Sequence, residues 1–158
     1  MLSLLHPIQC LKNPMLVRSF TRFVKKDDCR ILKDEVYNQT KTGIKYLDMV
    51  VGEGAEIQKG DIVHMHHKGR FLRTGKPMSF SSYDIGAPLS FKVGEGWVIP
   101  AWDETVLGMK TGGKRKVIAT PDVAYGEKGA NDIPPNSTIV YELEVVGTGM
   151  DGMKGSNF

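Results

Sequence analysis

The sequence predicts an α+β fold in which an antiparallel, strongly twisted β-sheet wraps around one short α-helix. Several short segments alternate between apolar and polar residues with a period of two, which is typical of strands with one buried face. Glycine-marked turns separate these segments, as expected between antiparallel neighbours. Only one segment has the end signals of a helix, and a helix of about ten residues is stable only when it is packed. A sheet curled over this helix is therefore the expected core.

Five segments are predicted as strands, namely residues 44–51, 61–72, 88–93, 114–120 and 137–147. The second segment alternates cleanly and should have a core face and a solvent face. We expect its core face to carry Val63, Met65, His67 and Phe71, and its solvent face to carry Ile62, His64, His66, Lys68 and Arg70. The last strand should direct inward Ile139, Tyr141, Leu143 and Val145. A solvated edge is expected at Lys114, Arg115 and Lys116.

The predicted helix spans residues 100–109. Pro100 suits its first turn, and the two acidic residues that follow Trp102 complement the positive amino end of the helix dipole. Gly108 and the Gly-Gly pair after it end the helix. We expect the core to receive Trp102, Val106, Leu107 and Met109.

The chain is predicted to contain an extension of residues 1–42, a domain of residues 43–147 and a flexible tail of residues 148–158. The extension is basic, poor in acids and loosely amphipathic, which is typical of a transit peptide for a mitochondrion or plastid. A flexible extension on a cytoplasmic protein explains the same features equally well. Both cysteines, Cys10 and Cys29, lie in the extension, so the domain does not depend on a disulfide.

The charge of the chain argues against a nucleic-acid partner. The net charge of +3 comes from the extension, because from Gly43 onward there are 13 basic and 14 acidic residues. A nearly neutral domain lacks the basic surface that binds phosphate backbones. No apolar run of about 18 residues occurs, so no membrane span is predicted.

Few residues are aromatic, and the spacing of Trp102, Tyr125 and Tyr141 allows one pocket to collect them. No nucleophile accompanies them, and His64 with His66 lacks further ligands at familiar metal spacing. We predict neither a metal nor a cofactor. Such a pocket points to binding and conformational catalysis, although a large helical aromatic is more often core filler.

Five segments together resemble the FKBP-type peptidyl-prolyl cis–trans isomerase family in order, spacing and chemistry. They are GIKYLDMVVGEGAE, KGDIVHMHHKGRF, SSYDIGAPLSFKVGEGWVIPAWDE, GMKTGGKRKVIATPDVAYGEKG and IPPNSTIVYELEVV. The resemblance covers about residues 43–147 and implies a sheet wrapped around a short helix. It also implies isomerase activity on proline-containing polypeptides, no cofactor and a pocket that takes immunosuppressant macrolides.

The resemblance implies roles for particular residues. Trp102 matches the aromatic floor of the family's pocket, and Tyr125 matches a loop tyrosine whose hydroxyl contacts the ligand. The wall is implied to include Leu89, Val98, Ile99, Ile133 and Tyr141. His67 falls where the family has a strand tyrosine, so it joins Trp102, Tyr125 and Tyr141 among the expected catalytic residues.

The chain departs from the family at a polar corner of the pocket. The family's aspartate falls at Ser79, Phe80 or Ser81, and none of these is acidic. Ile85 stands where arginine is frequent, and His67 replaces the tyrosine. We expect Phe80 and Ile85 to keep the site dry, with weaker catalysis and weaker drug binding than in the family.

These observations predict a monomeric prolyl isomerase that assists protein folding. The alternative is a non-catalytic module that holds a partner loop or an assembly intermediate in the same pocket. The altered polar corner favours this alternative more than an intact corner would.

Overall fold

The computed structural model describes residues 35–149. The predicted transit peptide with its two cysteines lies outside the described residues, except for the last residues of the extension, and so does most of the tail. By its contacts the chain divides into the units Met1–Val36 and Tyr37–Phe158, and the fold below is that of the second. Within the described range, no helix combines the length and apolar character needed to cross a bilayer.

The second unit is built on one antiparallel sheet of six strands. In chain order these are β1 (Asn38–Gln39), β2 (Lys45–Val50), β3 (Ile62–Phe71), β4 (Leu89–Lys92), β5 (Lys114–Ala119) and β6 (Ile139–Thr148). The order across the sheet is β1-β2-β5-β6-β3-β4. Residues 35–149 also form two short helices, α1 (Ser82–Ile85) and α2 (Pro100–Thr105), and a 3₁₀ turn (Pro121–Val123). The predicted fold class is confirmed.

Three details differ from the expected elements. The single turn α1 was not predicted, and β1 lies ahead of the boundary expected at Gly43. The helix α2 ends at Thr105, four residues earlier than predicted, because the chain turns there and Gly108 adopts a left-handed φ of 74°. Leu107 therefore lies in the turn and is 38% exposed, contrary to the expectation that it enters the core.

The core lies between α2 and the inner face of the sheet. The inward residues predicted for β6, and Val63 and Met65 of β3, are all buried. From the helix side the core receives Ala101, Trp102 and Val106. The period-two pattern thus placed the core side chains correctly, since successive strand residues point to opposite faces.

Two expectations of solvated side chains are wrong. His64 is buried, because its Nε2 donates to the carbonyl of Gly149 at 2.8 Å and its Nδ1 bonds the hydroxyl of Ser90 at 2.7 Å. Arg115 and Lys116 are buried as well, because β5 is an interior strand and not an edge.

Arg115 joins the helix to the sheet. Its Nε forms an ion pair with Asp48 of β2 at 2.6 Å, and its guanidinium stacks over the ring of Tyr46 at 4.3 Å. Its Nη1 donates to the carbonyls of Thr105 and Leu107, where α2 has ended and the carbonyls lack helical partners. One side chain therefore satisfies the helix end and a carboxylate of the sheet together.

Replacing Arg115 with methionine should lower the free energy of unfolding by about 2–3 kcal/mol, because two carbonyls and a partly buried carboxylate lose their donor. Denaturant unfolding measures the change. The control is Lys114→Met on the same strand, whose exposed ion pair with Glu144 should contribute under about 1 kcal/mol. Equal losses in the two variants would contradict this role of Arg115.

Candidate functional site

A cavity of about 680 Å³ opens between α2, the β3–α1 connection and the loop that follows β5. Its wall is mostly apolar and aromatic, and its polar side chains besides the two tyrosines are His67, Ser79, Asn131 and Asp132. The wall residues are His67, Phe71, Met78, Ser79, Phe80, Leu89, Trp97, Val98, Ile99, Trp102, Tyr125, Ala130, Asn131, Asp132, Ile133 and Tyr141. A cavity of this size accommodates a short peptide segment or a drug-sized molecule.

All nine residues predicted for the site lie in this wall. The structure brings together His67, Phe80, Leu89, Val98, Ile99, Trp102, Tyr125, Ile133 and Tyr141. Their individual roles stay predictions. Ile85, which was expected to shield the site, lies at the end of α1, outside the wall, and is 58% exposed.

Trp102 forms the floor of the cavity. Its ring meets Tyr141 edge-on with centroids 4.9 Å apart, and it lies 4.6 Å from the ring of His67. Trp102 is 6% exposed, so most of the indole belongs to the core while one side faces the cavity. It is thus both core packing and floor.

His67 is held by the two serines that begin α1. The hydroxyl of Ser82 accepts from the His67 amide at 2.7 Å and donates to the His67 carbonyl at 3.2 Å, and Ser81 donates to the same carbonyl. The ring is buried, and among the described residues its Nδ1 has no hydrogen-bond partner. Burial, with a smaller effect of charge on His66, lowers the pKa of His67 to about 4. The ring is therefore neutral near pH 7.

Tyr125 and Tyr141 bring their hydroxyls together at one side of the floor. The Tyr141 hydroxyl donates to the Tyr125 oxygen at 3.5 Å. Burial, and then the contact with Tyr125, raises the pKa of Tyr141 far above its usual value, so the phenol stays neutral. The loop of Tyr125 is closed by hydrogen bonds in both directions between Ala130 and Ile133. Gly129 is required there, since a Cβ would stand 2.2 Å from the Ile133 carbonyl oxygen.

The mouth of the cavity contains Trp97, which was not predicted, beside the predicted Phe80. Both side chains line the mouth and are 61% exposed. The Asp103 carboxylate holds the loop that carries Trp97, because it accepts from the amides of Gly94 at 2.5 Å and Gly96 at 3.1 Å. Trp97 could have been predicted as a site residue, because it is an aromatic residue directly before the predicted wall residue Val98.

Asp132 also lines the mouth and was missed, because nothing in its loop sequence indicates that it faces a cavity. No group of three or more His, Cys, Asp or Glu side chains within residues 35–149 is arranged to hold a metal ion. The wall provides surface, shape and a few hydrogen-bonding groups, which suits binding and rotation of a peptide.

The pKa of His67 predicts a pH effect on stability. Its value is about 4 in the folded protein and 6.5 in the unfolded chain, so the unfolded chain takes the proton first as the pH falls. Folding therefore loses stability from about pH 6.5 down to about 4. Between pH 7 and pH 5 wild type should lose about 1–2 kcal/mol more than His67→Phe. Denaturant unfolding at both pH values measures this, and equal losses would contradict it.

Comparison with known proteins agrees with this geometry. The family model described as FKBP-type peptidyl-prolyl cis-trans isomerase matches residues 53–146. FK506-binding protein 1A of Neurospora crassa is 49% identical over 98 residues, 61% of this chain and 80% of that protein. FK506-binding protein 2 of Gibberella zeae is equally similar, and this chain spans about half its length, 49%. The match with the chloroplastic isomerase FKBP13 of Arabidopsis thaliana is 38% identical over 123 residues, 70% of this chain and 58% of that protein.

Solved structures show the same fold. The crystal structure of AtFKBP13 aligns with a TM-score of 0.65 at 35% identity, covering 73% of this chain and all of that one. The crystal structure of FkpA from Escherichia coli aligns with a TM-score of 0.67 at 29% identity, covering 89% of this chain and 69% of that one. The chain belongs to the FKBP-type peptidyl-prolyl cis–trans isomerase family.

Proposed function

We propose that the domain of residues 43–147 catalyses cis–trans rotation of Xaa-Pro bonds in polypeptide clients and thereby assists their folding. One observation carries this proposal, namely an apolar cavity of about 680 Å³ whose floor is the indole of Trp102. A proline ring has the size and polarity to enter such a cavity. Membership in an isomerase family supports the same reaction.

The physical basis is the difference between a planar and a twisted amide. Resonance holds the amide planar and creates a rotation barrier of roughly 18–20 kcal/mol. The twisted transition state has lost this resonance, and its carbonyl is less polar. A dry, apolar wall is therefore less unfavourable to the twisted amide than to the planar one, and this difference lowers the barrier.

The wall residues contribute to this catalysis in different ways. Trp102, Tyr141, Val98 and Ile99 supply apolar contacts around the proline. Tyr125, whose hydroxyl lies 3.5 Å from that of Tyr141, is the group best placed to hydrogen-bond a client carbonyl. The neutral ring of His67 adds surface without introducing a charge near pH 7.

We expect the activity to be modest. The segment 79–81 supplies no carboxylate, and the Phe80 ring stands 6.1 Å from that of His67. The corner is therefore aromatic where the family resemblance implies a polar one. A client carbonyl has fewer hydrogen-bond partners there, which weakens positioning of the bond that rotates.

The second candidate is a non-catalytic module that retains a partner loop in the same cavity. The aromatic corner of His67 and Phe80 favours it, because binding needs apolar surface but no polar positioning. FK506-type macrolides would occupy the same cavity, with the reduced affinity that a less polar corner implies.

The cellular setting is also a proposal. We expect a monomer with chaperone-like activity, residing in a mitochondrion or plastid if the extension of residues 1–42 is a transit peptide. A relative named as chloroplastic supports the organelle, and cytoplasm is the alternative. Amino-terminal sequencing of the native protein decides, since a start near Gly43 indicates cleavage and an intact Met1 indicates retention.

Replacing Trp102 with leucine should lower kcat/KM on Xaa-Pro peptides by about 10–100-fold, because the floor loses its flat contact surface. A protease-free isomerisation assay at micromolar protein measures the rate. The control is Phe91→Leu, a buried aromatic outside the wall, which should cost stability without a comparable loss of kcat/KM. A rate with wild-type protein equal to the rate in buffer alone would exclude isomerase activity. Equal losses of kcat/KM in the two variants would show that Trp102 is not part of the site.

A bound proline peptide should cover Trp97 and shift its fluorescence to shorter wavelength. Trp102 is already buried, so Trp97→Phe should abolish most of the shift. Titration of the full chain with an Xaa-Pro peptide measures the shift, and saturation without turnover would identify the binding module. The same fluorescence shift in Trp97→Phe as in wild type would show that the peptide does not bind at this mouth.

A further inference from the structure

Among residues 35–149, the cavity wall contains one charged side chain, Asp132. Its Oδ2 accepts a hydrogen bond from the Ser79 hydroxyl at 3.1 Å, although the two residues are 53 positions apart. The contact joins the β3–α1 connection to the loop before Ile133. A carboxylate thus stands at the mouth, but it comes from a different segment than the 79–81 segment where the family resemblance placed one.

Backbone hydrogen bonds hold the turn that carries Asp132. Asn131 adopts a left-handed φ of 44°, a conformation that asparagine tolerates better than most residues. On either side, Ala130 and Ile133 exchange two backbone hydrogen bonds, at 3.1 Å and 2.7 Å. Asp132 is therefore carried at the tip of a closed turn and is tethered by Ser79 from the opposite rim.

The charge of Asp132 is not neutralised nearby. Within residues 35–149 no ion pair engages this carboxylate, and Ser79 holds only one of its oxygens. Glu127 and Lys128 on the same loop are exposed, have opposite charges and lie outside the wall. The mouth therefore carries a net negative charge beside an apolar wall, and because Asp132 is exposed this charge is sensitive to salt.

We infer that Asp132 is a specificity-determining residue, which selects clients with a lysine or arginine next to the proline. This inference rests on the proposed binding of proline segments over Trp102. With the proline on that floor, the adjoining residues leave through the mouth and pass the carboxylate. A basic side chain is attracted there, and an acidic one is repelled. Charges at the rim of an interface act chiefly on association, so the preference depends on salt.

The test uses the full chain and peptides that differ in one residue beside the proline, either arginine, alanine or glutamate. One series varies the residue before the proline and another the residue after it. Each kcat/KM is divided by the value of the same protein on its alanine peptide. In at least one series, we expect kcat/KM for the arginine peptide to be about five times that for the glutamate peptide at about 20 mM salt. This ratio should fall towards one at about 1 M salt.

Three variants separate Asp132 from a general charge effect. Asp132→Asn keeps the shape and should bring the ratio close to one, whereas Asp132→Lys should invert it. Asp84→Asn removes an exposed acid outside the wall, changes the net charge equally and should leave the ratio as in wild type. The inference is overturned if Asp132→Asn keeps the wild-type ratio, or if Asp84→Asn lowers it as much.

Failure of the isomerase proposal gives a different result. In that case no peptide is turned over, and the same ratios are measured as dissociation constants from the fluorescence of Trp97. A preference for arginine that disappears in Asp132→Asn then still supports the role of Asp132. Equal affinity for the arginine and glutamate peptides overturns it.

Discussion

The packing of one indole connects the stability of this domain to its site. Trp102 lies on α2, contacts Tyr141 of β6 edge-on and stands against His67 of β3, so it joins the helix to two strands. Its remaining side is the floor of the cavity. A helix of six residues is stable only through such packing. The contacts that stabilise the domain and the contacts that form the floor of the cavity are therefore largely the same.

Much of the fold and site was predictable because it depends on local pattern and motif. Alternation with a period of two identified the inward face of β6, since each strand residue has only two directions to face. Pro100 correctly marked the start of the helix. The predicted end at residue 109 lies four residues beyond the observed end at Thr105. Spacing alone grouped Trp102, Tyr125 and Tyr141, and the other six site residues came from the family resemblance. Their shared wall follows from the fold that the resemblance implies.

The missed features depend on contacts between distant segments. The burial of Arg115 follows from the interior place of β5 and from the end of α2, neither of which a three-residue basic run reveals. His64 is buried because the far end of β6 returns beside it. Asp132 faces the cavity because Ser79, 53 residues away, meets its turn. The pattern of charged and polar residues along the sequence does not indicate which distant residues come into contact.

The serines of α1 have an effect on the sheet edge as well as on His67. Beyond Met65, no strand within residues 35–149 pairs with β3 on the β4 side. Most of its outward groups are nevertheless bonded. Ser82 bonds both the amide and the carbonyl of His67, Met78 donates to the carbonyl of Gly69, and Phe71 bonds Lys76 and Gly75. An edge with most of its backbone groups already bonded offers a poor template to a foreign strand. This part of β3 is thereby protected from pairing with an extended segment of another chain.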